Sequence, residues 1–194
     1  MAVIERVFCH DQKVNGNLLM KGDFPHNFNE RFEAFKDRML CSPFEIYDDR
    51  GRNREEIVEV CEWALSSCKG KEPAIFIDHI QRCRTEKYPS RQEAIADYVQ
   101  CLKEVAMKYN ASVIATSQIN RAGAQQGGMD FLKGSGEQEE ASDVLCICQW
   151  PCKIDPTKDP RDYIVRVEKN RNGPTGDVKL RYEPDIFTFS EERI

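Results

Sequence analysis

The sequence predicts an α/β fold: a mostly parallel sheet flanked by helices, with a C-terminal antiparallel hairpin. Three observations predict it. Short apolar runs close on polar residues in PAIFID (73–78), ASVIATSQ (111–118) and DVLCICQ (143–149), as buried parallel strands do. Stretches of helical period, opened by capping boxes, alternate with these runs. Two segments of alternating pattern, 162–169 and 177–183, flank the turn sequence NGPTG, as in a hairpin with one wet face.

Each element follows from its residues. Residues 2–9 are apolar with polar breaks and predict the tail of a helix, and the Asn/Gly-rich residues 10–29 predict a loop with a short helix. In 29–40, Phe32, Phe35 and Met39 share one helical face. CSPFEIYDD (41–49) predicts a short strand. Asn53 and Glu56 form a capping box, and the helix after them carries Ile57, Val60, Cys61, Ala64 and Leu65 on one stripe until Gly70 ends it. The run 73–78 predicts a strand covered on both faces. Ser90 and Glu93 form a second capping box, followed by Ile95, Tyr98, Val99, Leu102, Val105, Ala106 and Tyr109 at helical spacing. Residues 111–118 predict another buried strand, and 143–149 a third core strand. Between them, 119–140 is rich in Gly, Gln and Glu, with one apolar pair at Phe131 and Leu132. A loop of that length is often functional.

Composition narrows the function classes. The chain has 194 residues, 40% hydrophobic and 31% charged, which fits one soluble globular domain. A net charge of −5 argues against coating nucleic acid by bulk charge, though a few placed cations can still hold a strand. The nine cysteines are irregularly spaced, and Cys61, Cys101, Cys146 and Cys148 sit in apolar runs. This predicts buried thiols in a reducing cytosol. Neither a secretory leader nor an apolar run of the ~20 residues that span a membrane is visible.

In sheets of this kind ligands sit beyond the carboxyl ends of the strands. Asp78 ends AIFID there, where a rigid carboxylate can hold Mg²⁺ through its water shell. Taken alone, such an acid more often caps a turn. Gln118 ends the next strand in TSQINR, and its amide could sense a phosphate or place a water. Lys169 and Arg171, two apart in EKNRNGPTG, would project to one side of a strand end and suit the charge of a transferring phosphoryl group. A plain charged hairpin end is equally compatible with that segment.

Their order along the chain is more specific. AIFIDHIQ, a helix of form R-x-E-x₈-LK-x-V-A begun by Arg91, VIATSQINR, KGSG-x-x-E-x-x-x-D and EKNRNGPTGDVKLRYEP follow one another. The series resembles the motif set of DnaB-type hexameric helicases over nearly the whole chain, and KNRNGPTG is its most specific piece. The resemblance implies a RecA-like P-loop NTPase fold, N-terminally truncated, with residues 1–194 as a single partial domain. It implies part of an ATP-dependent replicative DNA helicase, a 5′→3′ motor that works as a homo-oligomeric, hexameric ring on single-stranded DNA in the cytoplasm. ATP and Mg²⁺ would be the intact parent's cofactors. In that family Asp78 resembles the Walker B acid, Gln118 the γ-phosphate-sensing glutamine, and Lys169 and Arg171 the pair that reaches a neighbouring subunit's nucleotide. Arg121, Lys133, Gly134, Ser135 and Gly136 fall where the family's channel contacts to DNA lie. Arg82, Arg84 and Lys87 could join that surface, although a solvated loop is the better reading.

The sequence also departs from the pattern. No G-x-x-x-x-G-K-[ST] occurs: the one Gly-Lys, Gly70-Lys71, precedes Glu72. Glu5 does not align with the family's catalytic glutamate, and His79 replaces an aromatic without an evident role. The 194 residues alone are therefore expected neither to hydrolyse ATP at a motor's rate nor to bind it tightly. A non-catalytic RecA-fold module that binds a partner and a fragment of a recombinase- or clock-type ATPase are the other readings. Cys146, Cys148 and Cys152 give C-x-C-x₃-C, which reads as thiols in a strand rather than a zinc site. Cys9-His10 reads as incidental.

Overall fold

The computed structural model describes residues 3–47, 53–66, 72–118 and 136–191. In chain order they form α1 (Val3–Gln12), α2 (Gly16–Met20), α3 (Phe28–Cys41), α4 (Arg54–Ser66), β1 (Ala74–Ile77), α5 (Arg91–Tyr109), β2 (Ser112–Ala115), α6 (Gly136–Ala141), β3 (Val144–Gln149), β4 (Asp162–Asn170), β5 (Gly176–Glu183) and β6 (Thr188–Glu191). Single 3-10 turns lie at Ile80–Arg82 and Pro151–Lys153. Two compact units result: Asp48–Leu145, and Met1–Tyr47 with Cys146–Ile194.

In the first unit both capping boxes form. Asn53 Oδ1 accepts from the Glu56 amide and Glu56 Oε2 accepts from the Asn53 amide, each at 2.9 Å. Ser90 Oγ accepts from the Glu93 amide at 3.2 Å and donates to its carboxylate at 2.9 Å. Each box satisfies amides that the first helical turn leaves unpaired. At the far end of α5, Asn110 adopts the left-handed conformation (φ 48°) and its N–H closes on Ala106 O.

The helices bury Ile57, Cys61, Ile80, Cys83, Ala94, Tyr98, Cys101, Leu102 and Val105 together, and Ile75, Ile77 and Val113 pack on them from the strands. Burial pushes the Cys61 thiol up to about 11, so it stays protonated and acts as a small apolar group. Arg54 pairs with Asp97 at 2.7 Å and with Glu104, and Tyr88 donates to Asp97 at 2.7 Å. These bonds tie α4 and the loop before α5 to that helix.

In the second unit, Phe8, Val14 and Phe35 form a small core. Phe8 meets Phe28, Phe32 and Phe35 edge-on, with centroids 5.3–5.9 Å apart. Strands β3-β4-β5-β6 form a four-stranded sheet in that order. Both β4·β5 and β5·β6 are antiparallel. Tyr182 stacks on Phe189 at 4.5 Å and meets Trp150 edge-on at 5.3 Å. The turn before β6 is tied to the N-terminal helices: Asp185 O accepts from the Gly16 amide at 2.7 Å, and Thr188 Oγ1 lies 2.9 Å from His10 Nδ1.

Several expectations are corrected. Strands β1 and β2 are not covered on both faces: Phe76 is 69% exposed and Ile114 42% exposed, because α4 and α5 pack on one side only. No strand forms over the described part of 41–49. Helix α3 runs through Cys41, and 44–47 have no ladder partner. Strand β3 is not a third core strand of the parallel pair but lies beside β4. Cys146 and Cys148 on it are exposed rather than buried, whereas Cys9, Cys61 and Cys101 are buried. The segment 119–140 is not all loop, since α6 begins at Gly136. Strand β6 has no counterpart in the sequence reading. Gly70, Asp48, Asp49, Phe131 and Leu132 lie outside the described residues.

Candidate functional site

The parallel register runs from Ala74 opposite Ser112 to Ile77 opposite Ala115. The two strands therefore end level, and Asp78 and Thr116 leave the sheet side by side. Thr116 N donates to Ile77 O at 2.9 Å and Ile80 N to Thr116 O at 3.0 Å, extending the pairing past the strands. Thr116 Oγ1 donates to Asp78 Oδ1 at 2.9 Å. One oxygen of an exposed carboxylate is thus held in place.

Gln118 is brought to the same edge by its neighbours. Gln81, on the 3-10 turn after Asp78, accepts from the Gln118 amide through Oε1 at 3.2 Å. Its Nε2 donates to Ser117 Oγ at 2.7 Å and to Gln118 O at 3.3 Å. Arg91, at the start of α5, donates to Gln81 O at 3.0 Å. The His79 ring completes the group, with Nδ1 3.0 Å from Gln81 Oε1 and Nε2 3.2 Å from Gln118 Nε2. A carboxylate from the end of one strand and a hydroxyl and an amide from the end of the next therefore meet where the sequence places a ligand. Thr116, Gln81 and His79 carried no role in the sequence reading. Their pairing runs between strand ends, and no local period reports it.

The second candidate region is the β4–β5 hairpin. Arg166 and Asp177 face each other in register and form two bonds, 2.7 and 3.1 Å long. Arg181 pairs with Asp162 opposite it and with Asp159 at 3.0 Å. The Arg166 guanidinium holds the Asp177 carboxyl below its ordinary range. At the tip, Asn170 Oδ1 accepts from the Asn172 amide at 3.2 Å and its Nδ2 donates to Pro174 O at 3.2 Å. Gly173 lies so close that a Cβ there would sit 2.7 Å from Asn170 Nδ2. Gly176 has φ 148°, which glycine alone adopts readily.

Lys169 is half-buried in β4, and Arg171 is exposed in the turn, one residue beyond the strand. The two-residue strand spacing therefore does not fix both on one side. Of the loop cations, Arg84 pairs with Glu56 at 3.0 Å and Lys87 lies 3.9 Å from Glu55. Both serve the first turn of α4. Arg82 is exposed. Gly136 opens α6, while Arg121, Lys133, Gly134 and Ser135 lie outside the described residues.

The donors present fit a hydrated Mg²⁺ better than a protein cage. Among the described residues no group of three or more His, Cys, Asp or Glu could enclose a metal. Mg²⁺ keeps most of its waters and commonly takes one or two carboxylates beside phosphate oxygens, and the Thr116-held Asp78 supplies one such group.

Comparison with known proteins gives one consistent answer. The model of the DnaB-like helicase C terminal domain matches residues 1–191. A probable plasmid replicative DNA helicase of Chlamydia trachomatis serovar L2 is 24% identical over 97% of this chain and 41% of its own length. The replicative DNA helicase DnaB of Leifsonia xyli subsp. xyli is 32% identical over 81% of this chain and 35% of its own. The chain thus spans about two-fifths of the length of such relatives. Among solved structures, one of an isolated ATPase domain superposes with a TM-score of 0.88 at 22% identity, covering 98% of this chain and 70% of that one. A DnaB-like replicative helicase studied with primase gives the same TM-score and identity, covering all of this chain and 49% of that one. The fold is therefore that of RecA-like helicase ATPase domains. Matched by the family model over residues 1–191, this chain belongs to the DnaB-like helicase C-terminal domain family.

Proposed function

We propose that these residues are part of an ATP-driven replicative DNA helicase motor, acting as one partial RecA-like domain. The observation that carries the proposal is the meeting of Asp78 and Gln118 at the level ends of β1 and β2, in a chain of this family. Asp78 would hold Mg²⁺ through water, with Thr116 fixing its Oδ1. Gln118 would contact the γ-phosphate or the attacking water. ATP with Mg²⁺ supplies the phosphoryl group whose hydrolysis drives the motor. Lys169 and Arg171 would reach the nucleotide of the adjoining subunit in a hexameric ring, so that no single subunit holds a complete site. Arg121, Lys133, Gly134, Ser135 and Gly136 would contact single-stranded DNA through charge and backbone amides, without reading bases. The cytoplasm is the matching compartment; among the described residues no helix is long and apolar enough to cross a membrane.

The test is a pair of measurements. The 194-residue chain, which carries no G-x-x-x-x-G-K-[ST], is expected to show no saturable ATP binding by calorimetry at micromolar nucleotide. A chimera in which residues 1–191 replace the matching part of the Chlamydia plasmid helicase, and so regain the rest of such a protein, is expected to hydrolyse ATP and to do so faster with single-stranded DNA. A folded, ring-forming chimera without DNA-stimulated turnover would contradict the motor reading.

A further inference from the structure

The proposed chemistry leaves the His79 ring idle, yet that ring touches the side chain on which the chemistry depends. Its Nε2 lies 3.2 Å from Gln118 Nε2, and its Nδ1 lies 3.0 Å from Gln81 Oε1. The second contact decides the tautomer once the orientation of the Gln81 amide is fixed. Two backbone groups of Gln118 fix it. The Gln118 N–H meets one end of the Gln81 amide at 3.2 Å, and the Gln118 carbonyl meets the other at 3.3 Å. A backbone N–H only donates and a carbonyl only accepts, so the first end is oxygen and the second nitrogen. An oxygen facing Nδ1 puts the ring proton on Nδ1. Nε2 of the neutral ring then holds a lone pair, and the group it meets on Gln118 is the amide nitrogen, a donor.

We infer that His79 is a positioning residue: as its Nδ1–H tautomer it holds the Gln118 carboxamide by the nitrogen and so fixes which way Oε1 faces. An amide gripped at nitrogen keeps one N–H for a phosphate oxygen and offers its carbonyl oxygen as acceptor to a water. Those are the two contacts a glutamine needs to align an attacking water with a terminal phosphate. The inference deepens the proposed role of Gln118 and rests on that role for its purpose. The chain of bonds itself, from the Gln118 backbone through Gln81 and His79 to the Gln118 amide, stands on geometry alone. It is a closed loop: the residue's main chain sets the ring that sets its own side chain.

The experiment uses the ¹⁵N-labelled 194-residue chain in alkaline buffer, without nucleotide. Two-bond ¹H–¹⁵N correlations report the tautomer of each of the three histidines. His79 is expected as Nδ1–H, with a coupling across the hydrogen bond from Gln118 Nε2 to His79 Nε2 that disappears in Gln118→Ala. His79→Phe should shift the Gln118 side-chain amide resonances, and His79→Gln, which restores an acceptor, should bring them back toward wild type. An Nε2–H tautomer in the wild type, or Gln118 amide resonances identical in wild type and His79→Phe, would overturn the inference. If His79→Phe fails to fold, the wild-type tautomer and the Gln118→Ala response decide alone. No nucleotide is involved, so failure here leaves the motor reading intact. Undiminished turnover of Gln118→Ala in the chimera would sink that reading and leave the hydrogen bond standing.

Discussion

The strand-end cluster and the hairpin tip both carry candidate phosphate-facing residues, and they hold them in opposite ways. Asp78 and Gln118 are fixed by side-chain hydrogen bonds from Thr116, Gln81 and His79, above a core of nine buried residues on α4, α5 and their adjoining loop. Arg171 is presented by a turn that Asn170 and Gly173 build, on a ladder locked by Arg166–Asp177 and Arg181–Asp162. Under the proposed roles, the groups that would sit against a bound nucleotide are wired together by hydrogen bonds, whereas the group that would reach another subunit is carried on an exposed turn.

That contrast can be broken or sharpened experimentally. The largest effect should come from Arg171→Ala in the chimera: a loss of turnover on the order of a thousandfold, as for an arginine finger, with ring assembly unchanged by mass photometry. Unchanged turnover would remove the reaching role. Next, Leu102→Ala in the buried face of α5 should cost about 2–5 kcal/mol. Hydrogen exchange should show the loss around β1, β2 and α5, not in the hairpin. Loosening of both regions alike would contradict separate support. Asn170→Ala should cost about 1 kcal/mol and raise amide exchange at the tip alone.

The smallest effects are in pH dependence. The Asp177 carboxyl is held low by Arg166, so its contribution is present above the ordinary carboxylate range and is lost as pH falls below it. Hairpin exchange should therefore rise first in acid. Tyr88 is pushed up to about 12, chiefly by its bond to Asp97. Its contribution is present below the ordinary tyrosine value of about 10 and fades as pH rises through the folded value. Tyr88→Phe should flatten that alkaline loss in Asp48–Leu145, followed by circular dichroism.

The legible parts of this fold were the local ones. The boxes at Asn53–Glu56 and Ser90–Glu93 are written within four residues, and both helix starts match them. The β4–β5 hairpin was legible from the apolar–polar alternation of its sequence around the NGPTG turn, although its burial does not alternate: β4 is half-buried throughout, and the first half of β5 is exposed on both faces. Residues 41–49 misled because Phe44, Ile46 and Tyr47 are apolar, but all three are exposed and no partner strand pairs with them. An apolar run signals burial, not the neighbour that completes it. The same limit explains β3, whose apolar residues predicted a place in the parallel pair although its ladder partner is β4. At the site, Asp78 and Gln118 were legible as the residues that end strands. Thr116, Gln81 and His79 were not, because their function is a pairing across 36–39 positions of chain.

The claim that a nucleotide is shared between subunits is tested most directly by mixing two inactive chimeras, Gln118→Ala and Arg171→Ala. If Arg171 serves the neighbour's site, mixed rings contain interfaces with an intact Gln118 on one side and an intact Arg171 on the other, and ATP hydrolysis returns on mixing. If mixed rings form and turnover stays at the level of the separate variants, both groups serve one subunit's own site and the account fails.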